Sequence, residues 1–370
     1  MAVGDSTLSQ IDNPASLALR PRSSRGLDFA GQFATPFVEW SGPIDSVDSE
    51  VNFIPVVNMG FADPVDDKLT WGLAVHSKSG LGTSYHARHL LIPWTDRHVH
   101  SDMKNASVSL NVGYRLTKKL SVGAGLRGEG VTAEFSEVLG PVDVEFERGY
   151  ATGVGCQFGL HYQVRKDVAL GLAYRSPTWC TDLAGGDAEA SFLGLAPVGL
   201  GHANIDRFRL PQKISAGVAW DATDRLKLVG EARWLGYPDT VVDSMRVATD
   251  GWVDLRVALP LGYQDQWALA AGAEYELDQH WTLASGYHYC TNPIPRSNLS
   301  PIGSIIAQHH LTIGLRYERD NWWVGGGYIV ALPASLSASG QSDIPMGIDY
   351  GDGEIWQVQH SVSVGFGFSW

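Results

Sequence analysis

No stretch of about 18 apolar residues occurs in this 370-residue sequence, so it holds no transmembrane helix. Cysteine is scarce. Cys156, Cys180 and Cys290 cannot build a disulfide framework, and the odd count leaves room for one pair at most, Cys180 with Cys290. Basic charge is in deficit too. A net charge of −13 leaves no basic footprint, so nucleic acid is not an expected partner. Charged residues of both signs reach only 18%, below the roughly 25% usual for soluble domains. Something other than water is expected to cover much of the surface. Residues 1–10 have neither a basic start nor an apolar core, so an exported form is expected to have lost its signal peptide before this point.

What is present is alternation. In the last strand Val362, Val364, Phe366, Phe368 and Trp370 share one face, and Ser361, Ser363, Gly365, Gly367 and Ser369 the other. That is the period of a β-strand with one apolar face. The same pattern runs through 106–114, 119–129, 267–275 and 281–289. Tight polar turns fall at 63–68, 117–119, 165–167, 221–225, 277–280 and 318–321. Longer connections lie between them, at 41–49, 79–103, 137–148, 179–204, 238–262, 291–304 and 332–354. Short turns alternating with long loops, with 13 Trp and 13 Tyr to form interfacial girdles, predict a transmembrane β-barrel. Counting through gives an all-β, antiparallel barrel of about 14 strands over 25–370. Strand one at about 25–40 must pair with strand fourteen at about 355–370, because an open sheet would leave unpaired edges in hydrocarbon. Residues 1–24 are too polar to span and are expected to lie outside the barrel or fold into it. A soluble propeller or sandwich would not need turn lengths to alternate.

Charges on the strands fall on the inward parity: Arg127, Glu129, His161, Arg175, Lys213, Glu231, Arg233, Glu274, His288, Arg316 and Glu318. Lipid at the midplane would cost Arg or Lys about 2–4 kcal/mol, so these residues line the interior. Gly123-Ala124-Gly125-Leu126-Arg127-Gly128 matches GxGxxG, but alternation continues through it and no helix follows, so a dinucleotide site is not expected. His86, His89, His98 and His100 cluster in one loop with only Asp96 and Asp102 nearby; they read as a solvated loop, and neither metal nor cofactor is assigned. No nucleophile, base and orienter stand out, so no catalytic residue is named. Two long loops are apolar for exposed segments. One holds Leu81, Tyr85, Leu90, Leu91, Ile92 and Trp94; the other holds Phe192, Leu193, Leu195, Val198 and Leu200. Such patches mark a binding surface or a lid packed on itself.

Collinear pieces of the chain resemble the FadL family of outer-membrane transporters, which includes TodX-like importers of aromatic hydrocarbons. Asn13-Pro14-Ala15 resembles the NPA motif of the family's N-terminal hatch. Segments 71–75 and 80–85 resemble its third strand and following loop. Segments 111–115, 120–126, 171–176, Leu210-Pro211 with Ser215 and Gly217, 272–275, 281–283, Gly286-Tyr287 and Pro293-Ile294-Pro295 follow in order. The resemblance covers nearly the whole chain. It implies a fourteen-stranded barrel with a hatch at 1–24, in the outer membrane of a Gram-negative bacterium. It further implies passive uptake of long-chain fatty acids or hydrocarbons. Apolar outer loops capture the molecule, a lumenal pocket receives it, and it leaves sideways through the wall at a kink in the third strand. On this reading Asn13, Pro14, Ala15 and Gly72 form the gate, with Gly72 allowing the kink beside strand 68–78. Expected partners are the hydrophobic substrate, outer-membrane lipids and lipopolysaccharide, with the protein a monomer. Two departures stand out: the segment before Asn13 is short, and 231–234 differs from the family's acidic-aromatic stretch. The alternatives are a general porin for polar solutes and an outer-membrane enzyme.

Overall fold

The computed structural model describes residues 2–4, 6–20, 24–206, 208–251, 256–302, 305–345 and 347–370. Among them, fourteen long strands follow in chain order: β1 (Gly26–Ser41), β2 (Ile54–Pro64), β3 (Leu69–His89), β4 (Ile92–Arg115), β5 (Leu120–Leu139), β6 (Val142–Arg165) and β7 (Val168–Arg175). Then come β8 (Gln212–Asp221), β9 (Leu226–Gly236), β10 (Gln266–Glu276), β11 (Trp281–Cys290), β12 (His309–Arg319), β13 (Trp322–Ser337) and β14 (Glu354–Ser369). Each pairs antiparallel with the next. β1 closes on β14 over its whole length, from Gly26↔Ser369 to Ser41↔Glu354. Closure leaves no sheet edge in the hydrocarbon. The six tight turns read from the sequence join alternate pairs at one end of the barrel, and Arg25 and Trp370 exchange backbone hydrogen bonds at that same end.

Outward side chains are apolar: Leu110, Leu126, Phe158, Leu269, Ile313, Val364 and Phe366 are all exposed. Aromatic rings gather at the short-turn end, where Phe61 packs on Trp71 and Trp370, and Trp281 and Trp322 on Tyr317. This is the belt that amphipathic rings form at a membrane surface. Inward positions are small or polar, and the Gly123–Gly128 segment runs inside β5 with no helix after it.

The connections at 79–103 and 137–148 are not loops. β3 to β6 run for 21, 24, 20 and 24 residues, whereas a bilayer needs only about 9–11. The excess projects outward as β-hairpins. Leu183–Phe192 and Val198–Asp206 form a third, which overlaps the predicted 179–204 loop and runs two residues past it. Their inner faces enclose an apolar core of Tyr85, Phe135, Phe146, Phe208, Leu299 and Ile355. Alternation resumes there beyond a slip in β3, but with Ser84, His86, Arg88 and His98 at the outward positions it reads as loop. All three cysteines are free, so Cys180 and Cys290 are not paired.

Candidate functional site: a window in the barrel wall

The β2–β3 ladder stops early. It runs from Pro64↔Thr70 to Asn58↔His76, and beyond that Ile54–Val57 pair only with β1. Pro55 brings no N–H to a ladder. Ser77 caps the last rung with its hydroxyl, accepting from the Val57 N–H at 2.7 Å and donating to the Val57 carbonyl at 3.0 Å. Further out the strands are bridged again, where the Glu50 N–H donates to the Ser84 carbonyl at 2.8 Å. The opening between these bridges spans about six residues, or about 20 Å at strand rise. It borders a cavity of about 600 Å³ lined by Val51, Phe53, Ile54 and Pro55 on one side and by Gly82, Thr83, His98, Asp102, Lys104 and Glu134 on the other. Opposite the opening, β3 slips against β4: Ser79 pairs with Lys104, but Gly82 pairs with Asp102. That extra residue is a bulge. It switches the buried face of β3 from Gly72 and Ala74 to Thr83, Tyr85 and Ala87.

The bend is therefore not at Gly72. That residue pairs regularly with Ala62 and Asn111. A Cβ there would come within 2.3 Å of Gln10 Oε1, so glycine serves close approach of the N-terminal segment. The same holds along the wall. Gly60 faces Thr7, Gly113 faces Leu17, Gly123 faces Pro14 and Ala15, and Gly159 faces Asn13, each too closely for a side chain. Residues 6–19 thus lie in the lumen on a glycine seat formed by β2 to β6.

Asn13 accepts the Ala15 N–H at 3.0 Å and so caps the short helix Pro14–Leu19, with proline at its first position, where the missing N–H is harmless. Asn13 also donates to the Leu160 carbonyl. Asn13, Pro14 and Ala15 therefore pack against β5 and β6. Thr7 meets β2, bonded to the Gly60 carbonyl at 2.6 Å, and Gln10 spans three strands, donating to the Phe61 carbonyl of β2 and the Leu73 carbonyl of β3 and accepting from Asn111 of β4. These contacts depend on where the glycines fall across neighbouring strands, which the sequence pattern does not show.

The inward charges form local pairs. Arg127 binds Glu129, both side chains 1% exposed, and Arg127 also donates to the Ser176 carbonyl at 3.0 Å. Arg233 binds Glu231, and Lys227 faces Glu274 at 3.8 Å. His161 Nε2 lies 3.2 Å from the Ala2 carbonyl. Arg175 is buried beside Glu129 and Asp12. Asp12 of the N-terminal segment reaches Lys213 at 2.7 Å. Lys213 first, then Arg233 and Arg175, hold the Asp12 carboxyl well below the usual carboxylate range, against the upward push of burial. On the far side, β8 to β14 face a cavity of about 1410 Å³ whose lining includes Glu231, Glu274, Arg316 and Trp323.

The apolar loop residues divide. Tyr85, Ile92 and Leu200 are buried, whereas Leu90, Leu91, Trp94, Phe192, Leu193, Leu195 and Val198 are exposed at hairpin tips. The Leu81 side chain lies outside the described residues. Arg97, beside one tip, binds Asp143 at 2.5 Å. Ser191, beside the other, donates to Asp143 at 3.3 Å, and the Leu193 N–H donates to the Pro141 carbonyl. Both exposed tips thus share one anchor.

A family model described as outer membrane protein transport protein (OMPP1/FadL/TodX) matches residues 2–321. The chain belongs to this family. Members of the FadL/TodX family are outer-membrane β-barrels of Gram-negative bacteria, which places this chain there with its short turns toward the periplasm. The long-chain fatty acid transport protein of Salmonella typhi is 22% identical, over 96% of this chain and 84% of that protein. Its Escherichia coli K12 counterpart is 21% identical with the same coverage. The P. putida toluene transporter TodX superposes with a TM-score of 0.82 at 18% identity, covering 100% of this chain and 95% of its own. The Ralstonia pickettii toluene transporter TbuX gives 0.80 at 20%, with 99% and 94% covered.

Proposed function

We propose that this protein carries out passive uptake of hydrophobic small molecules, fatty acids or aromatic hydrocarbons, across the outer membrane. The observation that carries this reading is the window between β2 and β3. A polar solute gains nothing from an opening toward lipid. An apolar one does, at about 0.8 kcal/mol per CH₂ moved out of water. The exposed hairpin tips around Leu90, Trp94, Phe192 and Leu195 would capture the molecule. The N-terminal segment acts as the hatch that blocks the straight path to the periplasm and turns traffic sideways. The names of the relatives, long-chain fatty acid and toluene transporters, support this substrate class, and transport rather than catalysis. The closed barrel works as a monomer. Lipopolysaccharide contacts the outward rings near the extracellular rim, where Tyr287 meets His309 and Tyr328 meets His360.

A general porin is the second reading, favoured by the charged residues Glu231, Glu274 and Arg316 in the mixed lining of the large cavity. One experiment separates them. Proteoliposomes carrying the purified barrel should take up labelled oleate or toluene faster than empty vesicles and should not swell in sucrose. Rapid sucrose swelling with no gain in oleate or toluene uptake would make it a porin.

A further inference from the structure

Beneath the extracellular rim, on the wall opposite the hatch, three donors meet that no step of uptake employs. His288 and Cys290 lie two residues apart on β11, so both face the lumen. His310 on β12 is directly opposite His288 in the ladder. One ligating atom from each of the three lies within 4.8 Å of the others. The two Nδ1 atoms are 3.4 Å apart and the rings stand edge to face at 62°. That spacing is long for a hydrogen bond. It matches the edge of a tetrahedron with metal–nitrogen bonds of about 2.0–2.1 Å, which works out to about 3.3–3.4 Å. Cys290 is buried and its thiol donates to the Ala307 carbonyl at 3.5 Å. His288 also lines the large cavity.

We propose that His288, Cys290 and His310 form a lumen-facing site for a borderline-soft transition metal ion, with Zn²⁺ as its type. Two imidazoles and a thiolate select zinc, copper or cobalt over magnesium or calcium, which prefer oxygen. Binding turns the Cys290 thiol away from Ala307, forms the metal–sulfur bond and releases the thiol proton to solvent. Water from the cavity completes the fourth position, so the ion both clamps β11 to β12 and presents an exchangeable coordination place to the lumen. The site is distinct from the stacked His86, His98 and His100 on the outer face of β3 and β4, where the added donor is the Glu50 carboxylate, 3.8 Å from His86, rather than a thiol.

Co²⁺ titration of the purified barrel in detergent tests this, because cobalt bound to a thiolate shows a charge-transfer absorption that imidazole ligation lacks. The wild type should show the band, saturating at one ion per barrel, and excess Zn²⁺ should erase it. Cys290→Ser should abolish it. His310→Gln, a milder change at a half-buried position, should raise the titration midpoint at least about tenfold, about 1.4 kcal/mol. Cys156→Ser, Cys180→Ser and His98→Ala should leave it unchanged. Every variant is read only in the fraction that keeps heat-modifiable migration of the folded barrel. A folded wild type without the band, or a band that survives in Cys290→Ser, overturns the proposal. Neither outcome bears on uptake.

Discussion

The two halves of this barrel wall obey the same alternation and use it differently. From β2 to β6 the inward positions include Gly60, Gly72, Gly113, Gly123 and Gly159, and the N-terminal segment lies against them. From β8 to β14 they include Glu231, Glu274, His288, Arg316 and Trp323, and the space they face is an open cavity. The first half trades side chains for a close-packed protein interface. The second keeps its charges because water can reach them. Ion pairs follow the same division: Arg127–Glu129 is sealed, while Lys227–Glu274 is 29% and 39% exposed.

The contrast is sharpened most by breaking one pair on each side. Glu129→Leu leaves Arg127 buried without its partner and should cost about 3–5 kcal/mol in urea unfolding from vesicles. Glu274→Ala should stay within about 1 kcal/mol. Equal losses would erase the distinction. Next come the glycines. A Cβ at Gly123 would lie 2.3 Å from the Ala15 nitrogen, whereas one at Gly286 meets nothing nearer than 3.4 Å. Gly123→Leu should unseat the N-terminal segment at a cost of about 1–3 kcal/mol. Planar-bilayer conductance should then rise about tenfold or more, while Gly286→Leu leaves it unchanged.

A smaller, local effect is expected in the outer hairpins. Glu137 sits near the tip of β5, beyond the membrane-spanning part, and bonds to Tyr350. Burial raises its carboxyl to about 7, with Tyr350, the Val138 backbone and Ser300 pulling the other way. A carboxyl raised on folding favours the folded form below its unfolded value and withdraws that support as pH climbs through 7. Hydrogen exchange at 131–139 should therefore quicken between pH 6 and pH 8 by more than the intrinsic rate, and Glu137→Gln should remove the excess. Smallest is Lys213→Met. It frees Asp12 from a partly exposed pair worth about 0.2–1 kcal/mol, so current fluctuations should grow no more than about fivefold.

Strands, turns and closure were legible because lipid imposes a strict period and each turn breaks it: Val362 to Trp370 and the 277–280 turn needed no partner to be read. Three features were not. The bulge between Ser79 and Gly82 reverses the buried face of β3, and Ser84, His86 and Arg88 then hold the outward positions, so 79–103 reads as loop. The glycine seat depends on which glycines fall side by side across five strands. His288 and His310 meet only through a register that joins residues 22 positions apart, whereas His86, His98 and His100 are neighbours in the sequence itself.

The lateral route is tested most directly at Gly82. A Cβ there meets only Val51 Cγ1, at 3.8 Å, so a large side chain can enter the window without disturbing the fold. Gly82→Trp should stop labelled oleate uptake into proteoliposomes while ion conductance stays at the wild-type level, and Gly128→Trp, on the open outward face of β5, should change neither. Undiminished uptake through a folded Gly82→Trp barrel would contradict an exit between β2 and β3.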